Sequence, residues 1–94
     1  MNRLKFSLDS ENYLISNYVY FGEKLFLLLI DENKSTFKGN VICVNNRFEI
    51  IHRFDFNESS SISTNQNSLI LYCSGYQFYF DPTTFEKQFY EWVK

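Results

Sequence analysis

The strongest constraint on the fold is that apolar residues occur in short runs separated by turn-forming residues. Residues 3–8 alternate between apolar and polar side chains, with Leu4, Phe6 and Leu8 on one side. A period of two is typical of a half-buried β-strand. Residues 25–30 are apolar at every position, which favours a central strand that is covered on both faces. At six residues, this longest apolar run is far too short to span a membrane.

Seven segments fit a strand, and polar turns join them. Gly22-Glu23, Asn45-Asn46 and Ser74-Gly75 suit two-residue hairpin loops, because Gly and Asn tolerate positive φ. Residues 57–68 are almost all polar, and we expect a flexible loop there. The second strand has mixed side chains on both faces, so its orientation stays open. The predicted strands cover residues 3–8, 13–21, 24–30, 36–44, 47–56, 69–73 and 76–80.

The last part of the chain carries signals for a helix. Asp81 suits the N-cap and Pro82 suits the first helical position. An apolar stripe at helical spacing follows, made of Phe85, Phe89, Trp92 and Val93. These signals predict a helix over residues 82–93, which either docks on the sheet or presents its stripe to a partner.

The expected fold class is therefore α+β, mostly β. We predict an antiparallel meander of about seven strands that forms a curved half-barrel or small barrel, with one C-terminal helix packed on it. A chain of 94 residues fits a single domain over residues 1–94. The first residues have no apolar stretch of signal-peptide length, so we expect a cytoplasmic location.

Residue types that carry catalysis are scarce. His52 is the only histidine and lies among Phe side chains, which favours a hydrogen-bonded core residue over a catalytic or pH-sensitive one. Cys43 and Cys73 lie in apolar runs without metal-ligand spacing, a pattern typical of buried free thiols. We find no phosphate-binding loop or metal motif. The sequence predicts a protein that is not an enzyme and uses no metal or cofactor.

The acidic residues have a pattern of their own. The net charge is −2 and no basic cluster occurs, which argues against nucleic-acid binding. In a seven-stranded meander, the turns after strands one, three and five share an edge with the end of strand seven. Such an acidic edge attracts a basic partner, although Asp is also a common turn residue and a crossed topology would disperse the edge. The candidate partner-binding residues are Asp9, Glu11, Asp31, Glu32, Asp55, Glu58 and Asp81.

A second candidate surface is aromatic. The chain has 11 Phe, 7 Tyr and 1 Trp, more than one small core holds. Exposed tyrosine clusters favour protein interfaces, while core packing remains the alternative for most of them. The tyrosines that cannot all be buried are Tyr13, Tyr18, Tyr20, Tyr72 and Tyr79.

Residues 76–94 resemble the end of pleckstrin-homology-type domains, which have seven strands and a C-terminal helix carrying a Trp. In that resemblance, Phe78 and Phe80 lie in the last strand and Trp92 lies in the helix. Lipid-binding members carry basic residues around the first hairpin, whereas this chain has Asp9-Ser10-Glu11-Asn12. The resemblance implies an adaptor that binds lipid or peptide.

The chain is short, has no catalytic set of residues, and carries the acidic turns Asp9-Ser10-Glu11 and Asp31-Glu32. In these three respects it resembles small bacterial toxin-immunity proteins. The resemblance implies an inhibitor that covers the active or substrate-binding surface of a basic protein, such as a nuclease toxin. The alternative function is the lipid- or peptide-binding adaptor. We expect a monomer or a dimer formed through an edge strand.

Overall fold

The computed structural model describes residues 5–8, 11–31, 39–54 and 59–92, and these residues form nine strands and no helix. No helix that is long and apolar enough to cross a membrane occurs among them. The strands are β1 (Lys5–Leu8), β2 (Glu11–Phe21), β3 (Lys24–Asp31), β4 (Asn40–Val44), β5 (Ile50–Arg53), β6 (Ser61–Thr64), β7 (Leu69–Cys73), β8 (Tyr76–Phe80) and β9 (Lys87–Trp92).

The strands form two successive antiparallel meanders. The first sheet has the order β1-β2-β3-β4-β5 and the second has the order β6-β7-β8-β9. Leu8 of β1 belongs to the same buried cluster as Ile42 and Val44 of β4, so the five-stranded sheet curls into a half-barrel. This curvature agrees with the predicted half-barrel. The expectation of an α+β fold with one seven-stranded meander is wrong, because the described residues form strands in two sheets and no helix.

Strand β3 is buried on both faces, as its continuous apolar run predicts. Its residues Phe26 and Leu28 face the main core between the two sheets, together with Leu69, Leu71 and Phe80 of the second sheet. On the other face, a second cluster fills the curl of the five-stranded sheet and contains Leu25, Leu27, Leu29, Ile42 and Val44. Full burial of each such side chain contributes about 1.5–3 kcal/mol, so β3 anchors both cores.

Two of the three predicted hairpin loops are confirmed. Gly22 has a φ of 62° in the two-residue loop between the paired residues Phe21 and Lys24, as a loop with Gly in first place requires. Ser74 and Gly75 both have positive φ, at 51° and 87°, which is the geometry of a type I′ turn.

The third loop is longer than the predicted Asn45-Asn46 turn. The N–H of Asn45 donates to the carbonyl of Glu49 at 3.0 Å, so three residues lie between the paired ends. The Asn45 side-chain oxygen accepts hydrogen bonds from the N–H groups of Arg47 and Glu49 at 2.8 and 3.0 Å. This side chain stabilises the wider turn, which ends at Phe48 with a φ of 61°.

The predicted C-terminal helix is wrong, although its start signal is real. Asp81 Oδ1 accepts hydrogen bonds from the N–H groups of Thr83 and Thr84 at 2.7 and 3.1 Å, as an N-cap does. The Phe85 N–H donates to the Asp81 carbonyl at 2.8 Å, which closes a single turn. Phe85 then adopts a φ of 67°, and the chain leaves the helical path.

The residues after this turn become strand β9. Phe89 pairs with Tyr79, Tyr90 with Phe78, and Trp92 with Tyr76. Aromatic residues favour strands, where they pack against cross-strand neighbours. A stripe at positions 85, 89 and 92 is therefore compatible with strand pairing as well as with a helix, and the neighbouring strand β8 decides between them.

Strand β6 lies inside the segment that was expected to be a loop, residues 57–68. It pairs with β7, and Ile62, the one apolar residue of that segment, is buried in the main core. Gly39 and Ser59 form an isolated antiparallel bridge just before it. A Cβ on Gly39 would collide with the carbonyl oxygen of Leu29, so this position requires glycine because two backbones approach closely there.

Candidate protein-binding surface

An irregularity in β2 decides which way its tyrosines face. Ile15 pairs with Leu29, whereas the next paired residue, Asn17, lies opposite Leu28, so Ser16 is an extra residue. A bulge of this kind reverses the alternation of the side chains that follow it. Without it, Tyr18 and Tyr20 would point into the main core.

The bulge instead places three tyrosines of β2 on the face of Leu25, Leu27 and Leu29, and we call Tyr13, Tyr18 and Tyr20 the tyrosine row. Tyr13 is half-buried, but Tyr18 is 55% exposed and Tyr20 is 67% exposed. The rings of Tyr18 and Tyr20 lie edge to face at 6.0 Å. Two large aromatic side chains thus project from neighbouring positions of one strand face and remain open to a partner.

A cavity of about 240 Å³ lies at the end of this face, between the β2–β3 and β4–β5 loops. We call it the hairpin pocket. That volume corresponds to about eight water molecules at ~30 Å³ each, or to one long side chain. Its lining residues are Tyr20, Gly22, Glu23, Leu25, Asn45, Asn46 and Phe48.

Phe48 is unfavourable in two respects. Its φ of 61° lies in the left-handed region, which is rarely occupied by bulky residues. Its side chain is also 60% exposed, so core packing explains little of its presence. Strained backbone of this kind concentrates at binding and catalytic sites, and Phe48 is therefore a candidate contact residue.

The structure brings two of the predicted acidic residues together. Tyr13 pairs with Asp31 of β3, and its hydroxyl donates to Glu11 Oε2 at 2.9 Å. Glu11 and Asp31 therefore flank one end of the tyrosine row. The exposed Arg53 lines a small cavity with Tyr13 at this same end, so the end carries both signs of charge.

Asp81 lies at the opposite end of the five-stranded sheet from this pair. Lys24, at the start of β3, donates to the Pro82 carbonyl at 3.2 Å. Lys24 and Asp31 are the first and last of the eight residues of β3, so they lie about 23 Å apart along the strand. The N–H groups of Thr83 and Thr84 lower the pKa of the Asp81 carboxyl below its ordinary value, and Lys24 adds to this. The other four predicted acidic residues lie outside the described residues: Asp9, Glu32, Asp55 and Glu58.

A second group of aromatic rings lies at the edge of the four-stranded sheet. It lies on the core-facing side of that sheet, where Phe78 packs against the main core, and extends beyond it to Trp92, which is 57% exposed. Lys87 Nζ lies 5.9 and 5.7 Å from the ring centres of Phe78 and Tyr90. We call this group the aromatic edge, and it comprises Tyr76, Phe78, Tyr90 and Trp92.

The two remaining candidate tyrosines lie on the other face of the same sheet, and both are half-buried. Tyr79 stacks on Phe89 at 4.2 Å, and its hydroxyl donates to Glu91 at 2.7 Å. This hydrogen bond to a carboxylate raises the pKa of Tyr79. Tyr72 accepts a hydrogen bond from the amide of Gln77. Their hydroxyls are engaged within the sheet, unlike those of Tyr18 and Tyr20.

The residues with potential chemistry have packing roles. The His52 ring stacks on Phe85 at 4.5 Å and meets Phe54 edge-on at 4.7 Å. Cys43 and Cys73 are both free thiols; Cys43 is buried and Cys73 is half-buried. Burial raises the pKa of Cys43 to about 11. Within residues 5–8, 11–31, 39–54 and 59–92, no three His, Cys, Asp or Glu residues group as a metal site would require.

Sequence reasoning did not identify Phe48 or Tyr90 as contact residues, and it placed Trp92 on a helical stripe that either docks on the sheet or faces a partner. The sequence predicts Phe48 in a strand over residues 47–56, whereas the structure places it in the β4–β5 loop with a φ of 61°. Tyr90 and Trp92 lie in the segment predicted as a helix, and the structure places both in β9. Comparison of the chain with known protein families, with curated proteins and with solved structures finds no match.

Proposed function

We propose that this protein is a small inhibitor that binds a basic protein and covers its active or substrate-binding surface. The observation that carries the proposal is the exposure of Tyr18 and Tyr20, because the β2 bulge turns both rings away from the core. Tyrosine is enriched among residues that dominate binding energy at protein interfaces. A tyrosine side chain has only two dihedral angles, so it loses little conformational entropy when a partner immobilises it.

The dimensions of this face support a protein partner. From Glu11 to Tyr20 the strand extends over nine residue steps, about 25–30 Å at ~3.3 Å per residue. A standard interface buries about 800 Å² on each partner, and a round patch of that area is about 30 Å across. The tyrosine row with the adjoining hairpin pocket therefore fits one ordinary protein–protein contact.

The charges along this face support a basic partner. Glu11 and Asp31 lie at one end of the tyrosine row, where Arg53 offsets one of the two carboxylates, and Glu23 lines the hairpin pocket at the other end. Carboxylates at a rim accelerate association with a basic surface, and added salt weakens that effect. A nuclease of the toxin type presents such a surface where its nucleic acid binds.

The test is a capture experiment with three immobilised proteins: the wild type, a Tyr18→Ser/Tyr20→Ser variant, and a Tyr90→Ser control on the aromatic edge. Lysate of the source cells is applied, and the columns are washed at low and at high salt. We expect one basic protein on the wild type and the control, less of it on the double variant, and release by salt. The captured protein is then assayed for its activity with and without added wild type.

Two results would contradict the proposal. One is equal capture by the double variant and the wild type. The other is a captured protein whose activity is unchanged by an excess of wild type. Both substituted tyrosines are exposed, so we expect the double variant to fold. Its circular dichroism spectrum checks this.

A second function, a peptide-binding adaptor, is favoured by the aromatic edge. Strand β9 is the last strand of its sheet within the described part of the chain, and Tyr90 and Trp92 are exposed on it. An edge strand of this kind can add an extended peptide as a further strand. Capture that is lost on Tyr90→Ser but kept in the double variant would favour this adaptor.

A further inference from the structure

We infer that the hairpin pocket receives an arginine side chain of the partner, with its guanidinium between the rings of Tyr20 and Phe48 and beside the Glu23 carboxylate. This inference rests on the proposed function and deepens it by naming the chemical group that is recognised. It requires three properties of the pocket: aromatic walls, free hydrogen-bond acceptors and a negative charge.

The aromatic walls come from two different hairpins. Tyr20 is the residue before the last in β2, Phe48 closes the β4–β5 loop, and both line the cavity. Both rings are more than half exposed, and they make no ring contact with each other, so the space between them is open. A guanidinium is planar and weakly hydrated, and it stacks on aromatic faces more readily than an ammonium group does.

The acceptors are the side chains of Glu23 and Asn46. Neither makes a side-chain hydrogen bond within the described part of the chain, and both line the pocket. The Asn45 side chain, by contrast, already makes three hydrogen bonds: its amide donates to Glu49 and its oxygen accepts two backbone N–H groups. A guanidinium carries five donors in a fixed fork, so two acceptors at the mouth of the pocket favour arginine over lysine.

The charge in the pocket is negative. Of the charged residues in and beside the two loops, only Glu23 is among the lining residues. Lys24 lies on the opposite face of the sheet, where its Nζ meets the Pro82 carbonyl and the Phe85 ring. Arg47 belongs to the same loop as Phe48 but is not among the residues that line the cavity.

The left-handed backbone at Phe48 is consistent with this role. Glycine is the residue preferred at the last position of a three-residue hairpin loop, yet a Phe with a φ of 61° stands there. A glycine would leave the pocket with one aromatic wall. The position thus keeps a strained residue where its ring forms a binding surface.

The test is an NMR titration of the 15N-labelled full chain with two blocked tripeptides, Ac-Gly-Arg-Gly-NH2 and the matched citrulline peptide. Citrulline has nearly the same shape as arginine and no charge. We expect the arginine peptide to shift the amide signals of Gly22, Glu23 and Asn46, with affinity in the millimolar range. The citrulline peptide should bind at least about fivefold more weakly, because cation–π attraction and ion pairing are lost.

Variants locate the site. Glu23→Gln should weaken binding of the arginine peptide about fivefold or more and leave the citrulline peptide unchanged. Phe48→Gly should weaken arginine binding by a similar factor without strain on the backbone. Tyr90→Ser, on the aromatic edge, is the matched control and should bind like the wild type.

Equal binding of the two peptides, shifts confined to other parts of the chain, or no shift at 20 mM peptide would each overturn the inference. These outcomes differ from a failure of the proposed function. If Tyr18→Ser/Tyr20→Ser abolishes capture of the partner while the arginine peptide gives no shift, the tyrosine row binds the partner and the pocket does not take arginine. If the double variant captures as well as the wild type, the proposed function itself fails.

Discussion

Replacing Phe48 by alanine and by glycine measures the cost of its backbone conformation. Both substitutions remove the same ring, which is 60% exposed, so each loses less than half of the ~1.5–3 kcal/mol that full burial of a Phe contributes, about 1 kcal/mol. They differ in the backbone: an L-residue costs about 1–2 kcal/mol in the left-handed region, whereas glycine adopts it freely.

This difference reverses the usual order of the two residues. At an ordinary strand position, glycine is less stable than alanine by about 0.5–1 kcal/mol, because it loses more conformational freedom on folding. At Phe48, relief of ~1–2 kcal/mol exceeds that cost, so we expect Phe48→Gly to be more stable than Phe48→Ala by about 0.5–1 kcal/mol. The free energy of unfolding of Phe48→Gly should lie within about 1 kcal/mol of the wild-type value.

The assay is urea unfolding of the four variants Phe48→Ala, Phe48→Gly, Tyr20→Ala and Tyr20→Gly. Tyr20 is the control, because it is similarly exposed but lies in a regular strand with ordinary φ. A difference of 1 kcal/mol should also appear as a shift of about 4–8 °C in Tm for a domain of this size. If Phe48→Gly is less stable than Phe48→Ala by the same margin as at Tyr20, the loop is not held in the left-handed conformation and the argument from strain is refuted.

Three further expectations concern other parts of the fold. Asp81→Ala should lower the free energy of unfolding at neutral pH, because the carboxylate accepts two backbone N–H groups. Since these hydrogen bonds lower the pKa of Asp81 in the folded state, the difference from wild type should persist above pH ~4 and vanish as the pH falls through the folded pKa. An undiminished difference in urea unfolding at pH 2 would contradict this. Gly75→Ala should destabilise the β7–β8 hairpin, because φ is 87° and the new Cβ would lie 2.7 Å from the Trp92 ring. Displacement of that ring should shift the fluorescence emission of this single Trp. An unchanged spectrum together with an unchanged Tm would count against the prediction. Cys43 should react with a thiol reagent at pH 8 only at the rate of unfolding, because it is buried and its pKa is about 11, and rapid labelling of Cys43, located by peptide mapping, would show that this part of the core opens.

The features that the sequence predicts well are those set by neighbouring residues. The Gly22-Glu23 hairpin depends on one residue that tolerates positive φ, and the burial of β3 on both faces follows from its unbroken apolar run. Asp81 likewise behaves as a cap for the next residues, as its type predicts. Each of these depends on a few consecutive residues, so the pattern alone contains the information.

The features that the sequence misses depend on distant parts of the chain. Strand β9 forms because β8 offers aromatic partners such as Phe78, and this cross-strand packing outweighs a helical stripe. The direction of Tyr18 is set by the extra residue Ser16, whose presence follows from pairing with β3 and not from the β2 pattern itself. Asp81 is separated from Asp31 because the chain forms two sheets, whereas the predicted acidic edge assumed one.

The burial of β3 between two cores also has a consequence for protein quality control. Residues 25–30 read Leu-Phe-Leu-Leu-Leu-Ile, an uncharged segment of the kind that forms cross-β fibrils when exposed. In the folded chain, β2 and β4 occupy both of its edges, and Lys24 and Asp31 flank it as charged gatekeepers. We therefore expect that loosening β2 or β4 would uncover an aggregation-prone segment and make the protein a target for quality control.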